Sequence, residues 1–436
     1  MLSLLNQGQI VLDMGNPIQV SIGQFYGIEI NDFAVTVART ALWIAESQML
    51  KETKAVVHMS LDFLPLKSYA NIVEGNALRM DWADVVPKEK LNYIMGNPPF
   101  VGYSLQSKDQ KSDILSIYVD EQGKPYKTAG KIDYVSGWYF KAAQLMQGTG
   151  IRTAFVSTNS ITQGEQVAGA WKPLYERFGI HIDFAHRTFR WDSEASVKAH
   201  VHCVIVGFSV APSEEPKYLY TAERFQKVEN INAYLVDGPD VFIESRKNPI
   251  CDVPPMTTGN RPADGGHLII EDDEYLDFIT REPQAKPYIK RLVGSAEFIN
   301  NKKRWCLWLV GISPAELRKM PLVLQRVEAC KVDRENSPDA GRRKLAERPT
   351  QFREINNPDT FIVIPAVSSE RRRYVPMGFL DKNTIATNLV ITIPDATLYH
   401  FGILTSNVHM AWMRAVCGRL EMRYRYSKDI VYNNFP

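Results

Sequence analysis

No hydrophobic run in the 436 residues approaches the ~18–20 residues that a membrane-spanning helix needs, and no signal peptide is recognisable. Only five cysteines are present, and they are scattered without the spacing of a metal site. His200 and His202 lie two apart on a predicted strand without an evident third ligand, so we interpret them as strand residues and expect no bound metal. We therefore predict a cytoplasmic protein with reduced thiols and no membrane partner.

Acidic charge is scarce only in the back half of the chain. From residue 281 onward the chain has 26 lysines and arginines and 15 aspartates and glutamates, a net charge of +11. Because the whole chain has a net charge of +2, the first 280 residues have a net charge of −9. A basic back half joined to a mildly acidic front half predicts that nucleic acid is held mainly by the C-terminal part. A solvated basic face is the alternative interpretation.

The tetrapeptide Asn97-Pro98-Pro99-Phe100 follows an apolar run, Tyr93-Ile94-Met95-Gly96, that predicts a buried strand ending at a turn. Two prolines remove two backbone donors and fix φ, so Asn97 is held at the carboxyl end of the strand, where doubly wound sheets bind ligands. There the Asn97 side-chain oxygen and the Pro98 carbonyl can accept both hydrogens of an exocyclic amine and make its nitrogen more nucleophilic, while Phe100 stacks on the base. The pattern favours amine methylation, and an ordinary strand-to-loop turn is the alternative.

Two earlier segments share this pattern of a strand followed by polar residues. Phe25–Ile30 is predicted as a strand that ends near the carboxylate of Glu29, the usual partner of ribose hydroxyls. Asn31-Asp32 can then cap a helix, which is predicted from about Phe33 to Lys51. Ile72–Leu78 is predicted as a short strand with a Gly-Asn turn. Together with the strand before Asn97, these elements predict an α/β, Rossmann-like domain with a doubly wound, mostly parallel sheet, of the class I S-adenosylmethionine-dependent methyltransferase type.

The rest of the chain divides into a polar stretch, further elements and a second domain. Residues 103–130 are polar and contain several lysines, and we predict a mobile loop there. Beyond it we predict a helix over Ile132–Met146, a strand over Ile151–Val156, a helix over Val167–Phe178, and strands over Ile182–Ala185 and His200–Phe208. The pattern breaks after about residue 212, and a run rich in Pro, Gly and Asp occupies 237–266. We predict two domains, 1–245 and an α+β domain over 246–436.

The predicted second domain alternates short apolar pieces with basic segments, and aromatic residues are interleaved with the basic ones. Such a mixture suits phosphate contact and base stacking. Glu421 can accept from cytosine N4 while Arg423 donates to guanine, so this pair is a candidate reader of one C·G base pair if the segment is extended; a surface salt bridge is the alternative. The candidate DNA-binding residues are Lys302, Lys303, Arg304, Arg371, Arg372, Arg419, Glu421, Arg423 and Arg425.

Several stretches resemble the methyltransferase and target-recognition parts of the MmeI-type restriction–modification enzymes (type IIL, within type IIG). The similar stretches are Gln24–Glu29, Gly75–Leu78 with Asp81-Trp82, Gly96–Phe100, Thr188–Asp192, Thr258–Pro262 with Asp264–Gly266, Phe298–Trp308, and Tyr424–Ser427 with Ile430–Pro436. The resemblance covers nearly the whole chain. It implies a γ-class N6-adenine DNA methyltransferase with S-adenosyl-L-methionine as cofactor and double-stranded DNA as partner. RNA and protein methyltransferases also carry the NPPF motif, but the large basic second domain disfavours them.

The resemblance also implies roles for site residues. Glu29 would hold the cofactor ribose, and Asn76 with Ala77 would flank its adenine, although related enzymes more often have Asp where Asn76 stands. Phe189 would pack against the flipped base on the side opposite Phe100, since a base must leave the duplex to reach the methyl donor. Asp133 and Tyr134 resemble the next motif, which lines the pocket.

The resemblance departs at the front of the chain. Residues 1–28 contain no Asp/Asn-Pro-x-x-Gly-x-Gly-type loop, and no convincing Pro-Asp…Glu-x-Lys nuclease site is found. We therefore interpret the chain as a fragment of a larger enzyme without the family's N-terminal nuclease and helical segments, and we expect weak cofactor binding. Two functions compete: a site-specific adenine-N6 DNA methyltransferase, and a catalytically inactive fragment that acts only as a DNA-recognition module.

Overall fold

The computed structural model describes residues 20–57, 71–192, 200–211 and 214–436. These residues form two compact units that interleave along the chain. The first unit comprises the described residues of Met1–Ile161, Gly169–Phe189 and Cys203–Asp240, and the second those of Thr162–Ala168, Arg190–His202 and Val241–Pro436. The boundary between residues 245 and 246 stays a prediction, because two short pieces of the front half belong to the second unit. In the described ranges no helix has the length and apolar character to span a membrane.

The front half of the chain alternates helices with strands. Its described helices are α1 (Asp32–Val57), α2 (Trp82–Val85), α3 (Lys108–Ile117), α4 (Ser136–Leu145) and α5 (Gly164–Phe178). Its described strands are β1 (Tyr26–Glu29), β2 (Asn71–Glu74), β3 (Tyr93–Gly96), β4 (Arg152–Thr158), β5 (His181–Asp192), β6 (His200–Ser209), β7 (Lys217–Tyr220) and β8 (Phe225–Val228). Asn31 caps α1 by accepting a hydrogen bond from the Ala34 amide at 2.8 Å. The predicted helix start is therefore confirmed, while the helix continues beyond the predicted end at Lys51.

These strands form two sheets. Strands β1 and β2 are a parallel pair in which Glu29 lies beside Glu74. The other six form one sheet in the order β3-β4-β6-β5-β7-β8. The pairs β3–β4 and β5–β7 are parallel, whereas β4–β6 and β7–β8 are antiparallel. The predicted α/β class is confirmed, and β3 and β4 end at the same edge of the sheet because they are parallel.

The core of the first unit lies on one face of the six-stranded sheet. Tyr139 on α4 meets Phe155 on β4 and Trp171 on α5 edge-on, each with ring centroids 5.1 Å apart. The same ring stacks on Phe208 of β6 at 5.4 Å, and its hydroxyl lies 2.8 Å from the Ser157 hydroxyl. All of these rings are buried, so packing of α4 and α5 fixes strands β4 and β6.

The opposite face of the sheet is open in the part of the chain that the structure describes. Tyr93 and Met95 on β3 are 68% and 77% exposed, and Phe225 on β8 is 63% exposed. Sheets with parallel pairing are usually covered on both faces. This face therefore retains apolar area that the described residues do not bury.

The prediction of a mobile loop over residues 103–130 was wrong. Helix α3 occupies Lys108–Ile117 and begins with a capping box: Ser107 Oγ accepts from the Gln110 amide, and Gln110 Oε1 accepts from the Ser107 amide at 3.0 Å. The Ser-x-x-Gln signature stands in the sequence, but the polar composition around it obscured the signal.

The second unit is α+β, as predicted. Its described strands are β9 (Thr257–Thr258), β10 (Ile269–Glu271), β11 (Ile289–Val293), β12 (Arg304–Leu307), β13 (Thr360–Pro365), β14 (Val367–Ser368), β15 (Gly378–Asp381), β16 (Thr384–Ala386), β17 (Val390–Pro394), β18 (Gly418–Leu420) and β19 (Arg423–Arg425). Its described helices are α6 (Asp272–Arg281), α7 (Ser295–Asn300), α8 (Pro314–Leu317), α9 (Pro321–Glu335), α10 (Ala340–Lys344), α11 (Leu398–Leu404) and α12 (Asn407–Val416), with a π-helical turn at Lys428–Tyr432.

Three small sheets organise this unit: β10-β12-β11-β16, β15-β13-β17-β9 and β14-β19-β18. The first packs on α9 through a cluster that includes Leu292, Leu307 and Val327, and the second has its own cluster around Phe361 and Val390. The third sheet carries the predicted base-reading residues on its β18–β19 hairpin.

Candidate functional site

Asn97 lies directly after β3 and is exposed, whereas Pro98 is buried. Within the described chain, the Asn97 side chain has no hydrogen-bond partner. The turn that follows is held by the Val101 amide, which donates to the Pro99 carbonyl at 3.1 Å, and Phe100 is half-buried. The polar end of the Asn97 side chain is therefore available to a ligand.

Residues Asp133 and Tyr134 tie the loop after Asn97 to its neighbours. The Asp133 carboxylate accepts from the Tyr103 amide at 3.0 Å and from Ser160 Oγ at 2.5 Å, just after β4. The Tyr134 amide donates to the Val101 carbonyl at 2.9 Å. These contacts fix the course of the loop that follows Phe100.

Glu29 and Glu74 end two paired parallel strands and lie side by side. The Gly75 amide donates to the Glu29 carbonyl at 2.7 Å, which fixes the turn beyond β2. No described residue donates to the Glu29 carboxylate, so both of its oxygens are available to hydroxyl donors.

Asn76 is committed to a buried network that the sequence did not predict. Its Nδ2 donates to Asp113 on α3 at 3.0 Å, and its Oδ1 accepts from the Leu78 amide at 2.9 Å. Asp113 also accepts from Arg79 Nε at 2.6 Å and from the Tyr134 hydroxyl at 2.9 Å. Burial alone would raise the pKa of Asp113, but the hydrogen bonds from Arg79, Tyr134 and Asn76 outweigh it and lower the pKa below its usual value.

The segment after Asn76 is held from a second side by Lys141 on α4. Its Nζ donates to the carbonyls of Leu78 and Met80 and lies 5.7 Å from the centre of the Trp82 ring. Trp82 Nε1 in turn donates to the Ala77 carbonyl at 2.8 Å. Partial burial lowers the pKa of Lys141. The segment from Asn76 to Trp82 is thus a rigid wall rather than a free loop.

Phe189 lies in β5 and meets His186 edge-on with ring centroids 4.8 Å apart. Its predicted role opposite Phe100 stays a prediction. The structure brings Asn97, Phe100 and Asp133 to one region through the contacts above, and Asn76 joins them through Asp113 and Tyr134.

The basic residues before β12 differ in their availability. Lys302 and Lys303 are exposed. Arg304 is engaged in ion pairs with Glu271 at 3.0 Å and Glu297 at 3.6 Å. Two neutralising partners leave Arg304 less suited to phosphate contact than its neighbours, and its predicted DNA contact stays a prediction.

The β18–β19 hairpin does not place Glu421 and Arg423 on one extended strand. Glu421 has φ 59° and lies in the turn between the strands, and its carboxylate accepts from Arg423 Nη2 at 3.1 Å. Arg419 stacks over the Tyr424 ring at 4.6 Å and donates to the Met422 carbonyl, while Arg425 is exposed. The segment is thus a turn rather than a continuous extended strand, and the turn brings the two charged ends together in a surface salt bridge, so base reading by this pair stays a prediction.

An open recess adjoins this hairpin. The side chain of Arg371 is 90% exposed and lies only loosely, at 3.8 Å, from Glu370. Arg372 is half-exposed in the same loop. The recess is lined by His202, Ser369, Glu370, Arg371, Glu421, Met422 and Arg423.

A buried histidine supports the hairpin from behind. His409 on α12 shares a 2.8 Å hydrogen bond with the Tyr426 hydroxyl and meets Phe435 edge-on at 4.6 Å. Burial lowers the pKa of His409 to about 4. The ring is therefore neutral at physiological pH and anchors the residues that follow Arg425. In the described ranges no group of three or more His, Cys, Asp or Glu side chains is placed to hold a metal ion.

Comparison with known proteins decides the family. The model of the MmeI DNA-methyltransferase domain matches residues 4–221, and the model of the MmeI target recognition domain matches residues 237–436. The chain belongs to the MmeI family. Two relatives agree with this. DNA methyltransferase A of Bacillus subtilis (strain 168) is 44% identical over 421 residues, which are 96% of this chain and 47% of that protein.

The second relative is the type IIL restriction–modification enzyme MmeI, whose structure was solved in complex with DNA. It matches with a TM-score of 0.88 and 46% identity over 98% of this chain and 57% of that chain. The chain thus spans about half the length of these MmeI-family relatives. The predicted resemblance is confirmed, and family membership accounts for the pairing of a methyltransferase fold with a basic recognition unit.

Two residues that hold the segment after β2 were missed from sequence: Asp113 and Lys141. The capping box at Ser107 was the one signal for the helix that carries Asp113. Nothing local marked Lys141, whose carbonyl partners lie 61 and 63 residues away along the chain.

Proposed function

We propose that this chain is a site-specific DNA adenine-N6 methyltransferase that uses S-adenosyl-L-methionine and acts on an adenine flipped out of double-stranded DNA. The observation that carries the proposal is the Asn97 side chain, exposed and without a partner among the described residues at the carboxyl end of β3. Its oxygen and the Pro98 carbonyl accept the two amine hydrogens and hold the nitrogen towards the methyl donor.

The residues at the ends of β1 and β2 fit the cofactor. The unpaired Glu29 carboxylate would accept from the ribose hydroxyls of the cofactor, and Asn76 with Ala77 would border its adenine. Asn76 Oδ1 already accepts from Leu78, so only its second lone pair remains for the adenine amine. When bound, S-adenosyl-L-methionine supplies a methyl group on a positively charged sulfur.

The base pocket needs two apolar walls, because an extruded base loses its stacking in the duplex. Phe100 forms one wall and Phe189 the other. Asp133 and Tyr134 keep the Phe100 side in place through Tyr103 and Val101.

The second unit supplies the DNA contacts. Lys302, Lys303, Arg371, Arg372 and Arg425 contact phosphates, with Arg304 as a further candidate. The Arg419–Glu421–Arg423 hairpin reads bases. From family resemblance we further propose that the whole polypeptide includes nuclease and helical segments and acts in the cytoplasm.

The test is Asn97→Ala in the full chain, with Asn92→Ala at the opposite end of the same strand as the matched control. We expect the first variant to lose about 10²–10³-fold in methylation rate while duplex binding is retained, and the control to behave as wild type. Incorporation of labelled methyl into duplex DNA and fluorescence anisotropy are the two measurements. Near-normal methylation by Asn97→Ala contradicts the assigned role. A wild-type chain that binds DNA at specific sites without methylating it supports the alternative, a recognition module.

A further inference from the structure

The second unit contains a fully buried arginine without a carboxylate in contact. Arg334 on α9 donates all five of its N–H groups to backbone carbonyls at 2.7–3.1 Å. The acceptors are the carbonyls of Pro262, Ala263, Leu345, Arg348 and Gln351. Its hydrogen bonds are satisfied, no described carboxylate lies within ion-pair distance, and the buried Asp264 carboxylate opposes its charge only from farther away.

The segments that Arg334 joins present three exposed arginines, Arg261, Arg348 and Arg353, which we name the arginine cluster. The Arg353 amide donates to the Arg261 carbonyl at 2.9 Å, and Arg348 Nη2 donates to the Arg353 carbonyl at 2.9 Å. Direct hydrogen bonds therefore hold the three residues together on one surface.

Most of the donors in the arginine cluster remain available. Arg348 uses one N–H on a carbonyl, and the guanidinium of Arg261 has no partner in the described chain. Arg353 Nε lies 3.5 Å from one carboxylate oxygen of Glu354. The other oxygen of Glu354 accepts a hydrogen bond from the Arg261 backbone amide at 2.9 Å. Among the described residues, Glu354 is thus the carboxylate that contacts the arginine cluster.

The chain around the arginine cluster adds further positive charge. Arg343 and Lys344 at the end of α10 are exposed, and the exposed Asp339 and Glu347 are opposing charges nearby in sequence. Guanidinium groups with free paired donors fit phosphate oxygens bidentately, which a point charge does not.

We propose that the arginine cluster is a contact surface for the sugar–phosphate backbone of DNA, distinct from the base-reading hairpin, and that Arg334 is the residue that positions it. The inference rests on the proposed DNA binding of this chain. The surface binds without regard to sequence, because phosphates carry no base information.

The experiment measures binding of the full chain to two labelled DNA duplexes of unrelated sequence over a salt series, for wild type, Arg261→Gln and Arg348→Gln. Each lost phosphate contact is expected to reduce the slope of log K against log salt by about 0.9, which is about an eightfold loss of affinity at about 0.1 M salt. The loss is expected to be the same on both duplexes. All altered side chains are exposed, and thermal melting verifies that the fold is kept.

Two variants in the same region serve as controls. Arg348→Lys keeps the charge and is expected to retain the slope, while Glu347→Gln removes an opposing charge and is expected to strengthen binding. Unchanged slopes in both Arg→Gln variants overturn the proposal, and so does a loss of affinity confined to one of the two duplexes. A wild-type chain that binds neither duplex refutes the proposed function instead.

Discussion

Substituting Asp113 by Asn removes the centre of the network that links the proposed cofactor wall to the base-pocket loop. The wild-type carboxylate is 4% exposed and accepts three side-chain hydrogen bonds, from Arg79, Asn76 and Tyr134. An amide has the same shape but one oxygen, so it cannot accept from all three donors. Whichever way the amide turns, its NH₂ group faces another donor.

The expected cost follows from these contacts. The bonds from Asn76 and Tyr134 change from charge-assisted to neutral or are lost, at about 1 kcal/mol each. The Arg79 side chain is 57% exposed, so solvent screening reduces its share to a few tenths of a kcal/mol. We expect the substitution to lower the free energy of unfolding of the first unit by about 2 kcal/mol, which lowers its melting temperature by about 4–8 °C. Asp109→Asn, exposed on the same helix, is the matched control, at about 0.5 kcal/mol or less.

The pH dependence of Asp113→Asn provides an independent check. The folded-state pKa of Asp113 is lowered, so its stabilisation is complete above the unfolded-state pKa near 4 and is lost as the pH falls through the lower folded-state value. Unfolding by urea should therefore show a gap between wild type and variant at pH 7 that closes below about pH 4. A variant as stable as the Asp109→Asn control at pH 7, or a gap that persists in acid, refutes the reasoning.

Two further predictions concern the second unit. The double variant Glu421→Lys with Arg423→Asp exchanges the two charges and is expected to change the preferred base at one position of the methylated site. A good bidentate contact is worth about 1–3 kcal/mol of discrimination between bases. Sequencing of methylated sites measures the change, and an unchanged motif would mean that the pair contacts only phosphate. His409 has a pKa of about 4 and is neutral in the folded chain, whereas in the unfolded chain it takes up a proton below the ordinary histidine pKa of about 6.5. The free energy of unfolding therefore falls as the pH is lowered from about 6.5 to about 4, by about 3 kcal/mol in total. Denaturation across that range should lose this dependence in His409→Gln, and an identical slope in that variant contradicts the assignment.

The parts of the fold that were predicted from sequence are those with local signals. The strand Tyr93–Gly96 and the turn at Asn97 follow from an apolar run and two prolines, and the structure places β3 over those residues. The predicted burial of this strand was wrong, because Tyr93 and Met95 lie on the open face of the sheet and are exposed. The start of α1 follows from the capping residue Asn31. Helix α3 had the same kind of signal and was missed because composition was weighed above the capping box.

Hydrogen bonds between side chains and residues far away in sequence could not be predicted. Asn76 and Asp113 are 37 residues apart, and the carbonyls that accept from Arg334 lie 11 to 72 residues from it. A sequence shows which groups a residue offers, but which of them are already used depends on how the segments pack. For Asn76 this changes the chemistry, because the oxygen expected to bind the cofactor adenine already accepts one hydrogen bond.

Under the proposed base reading, the ion pair between Glu421 and Arg423 would bear on specificity as well as on structure. Without DNA the two charges neutralise each other at 3.1 Å, and both side chains are exposed, so separating them requires about 1 kcal/mol or less. A neutral pair gains little from phosphates, whose attraction is the same at every sequence. Binding is most favourable at a C·G base pair, where the cytosine amine donates to Glu421 and the guanine edge accepts from Arg423. At other base pairs the two side chains separate without gaining these hydrogen bonds. Self-pairing therefore lowers non-specific affinity at little expense to the specific complex, which is why an ion pair in the free chain and base reading in the complex are compatible roles for the same two residues.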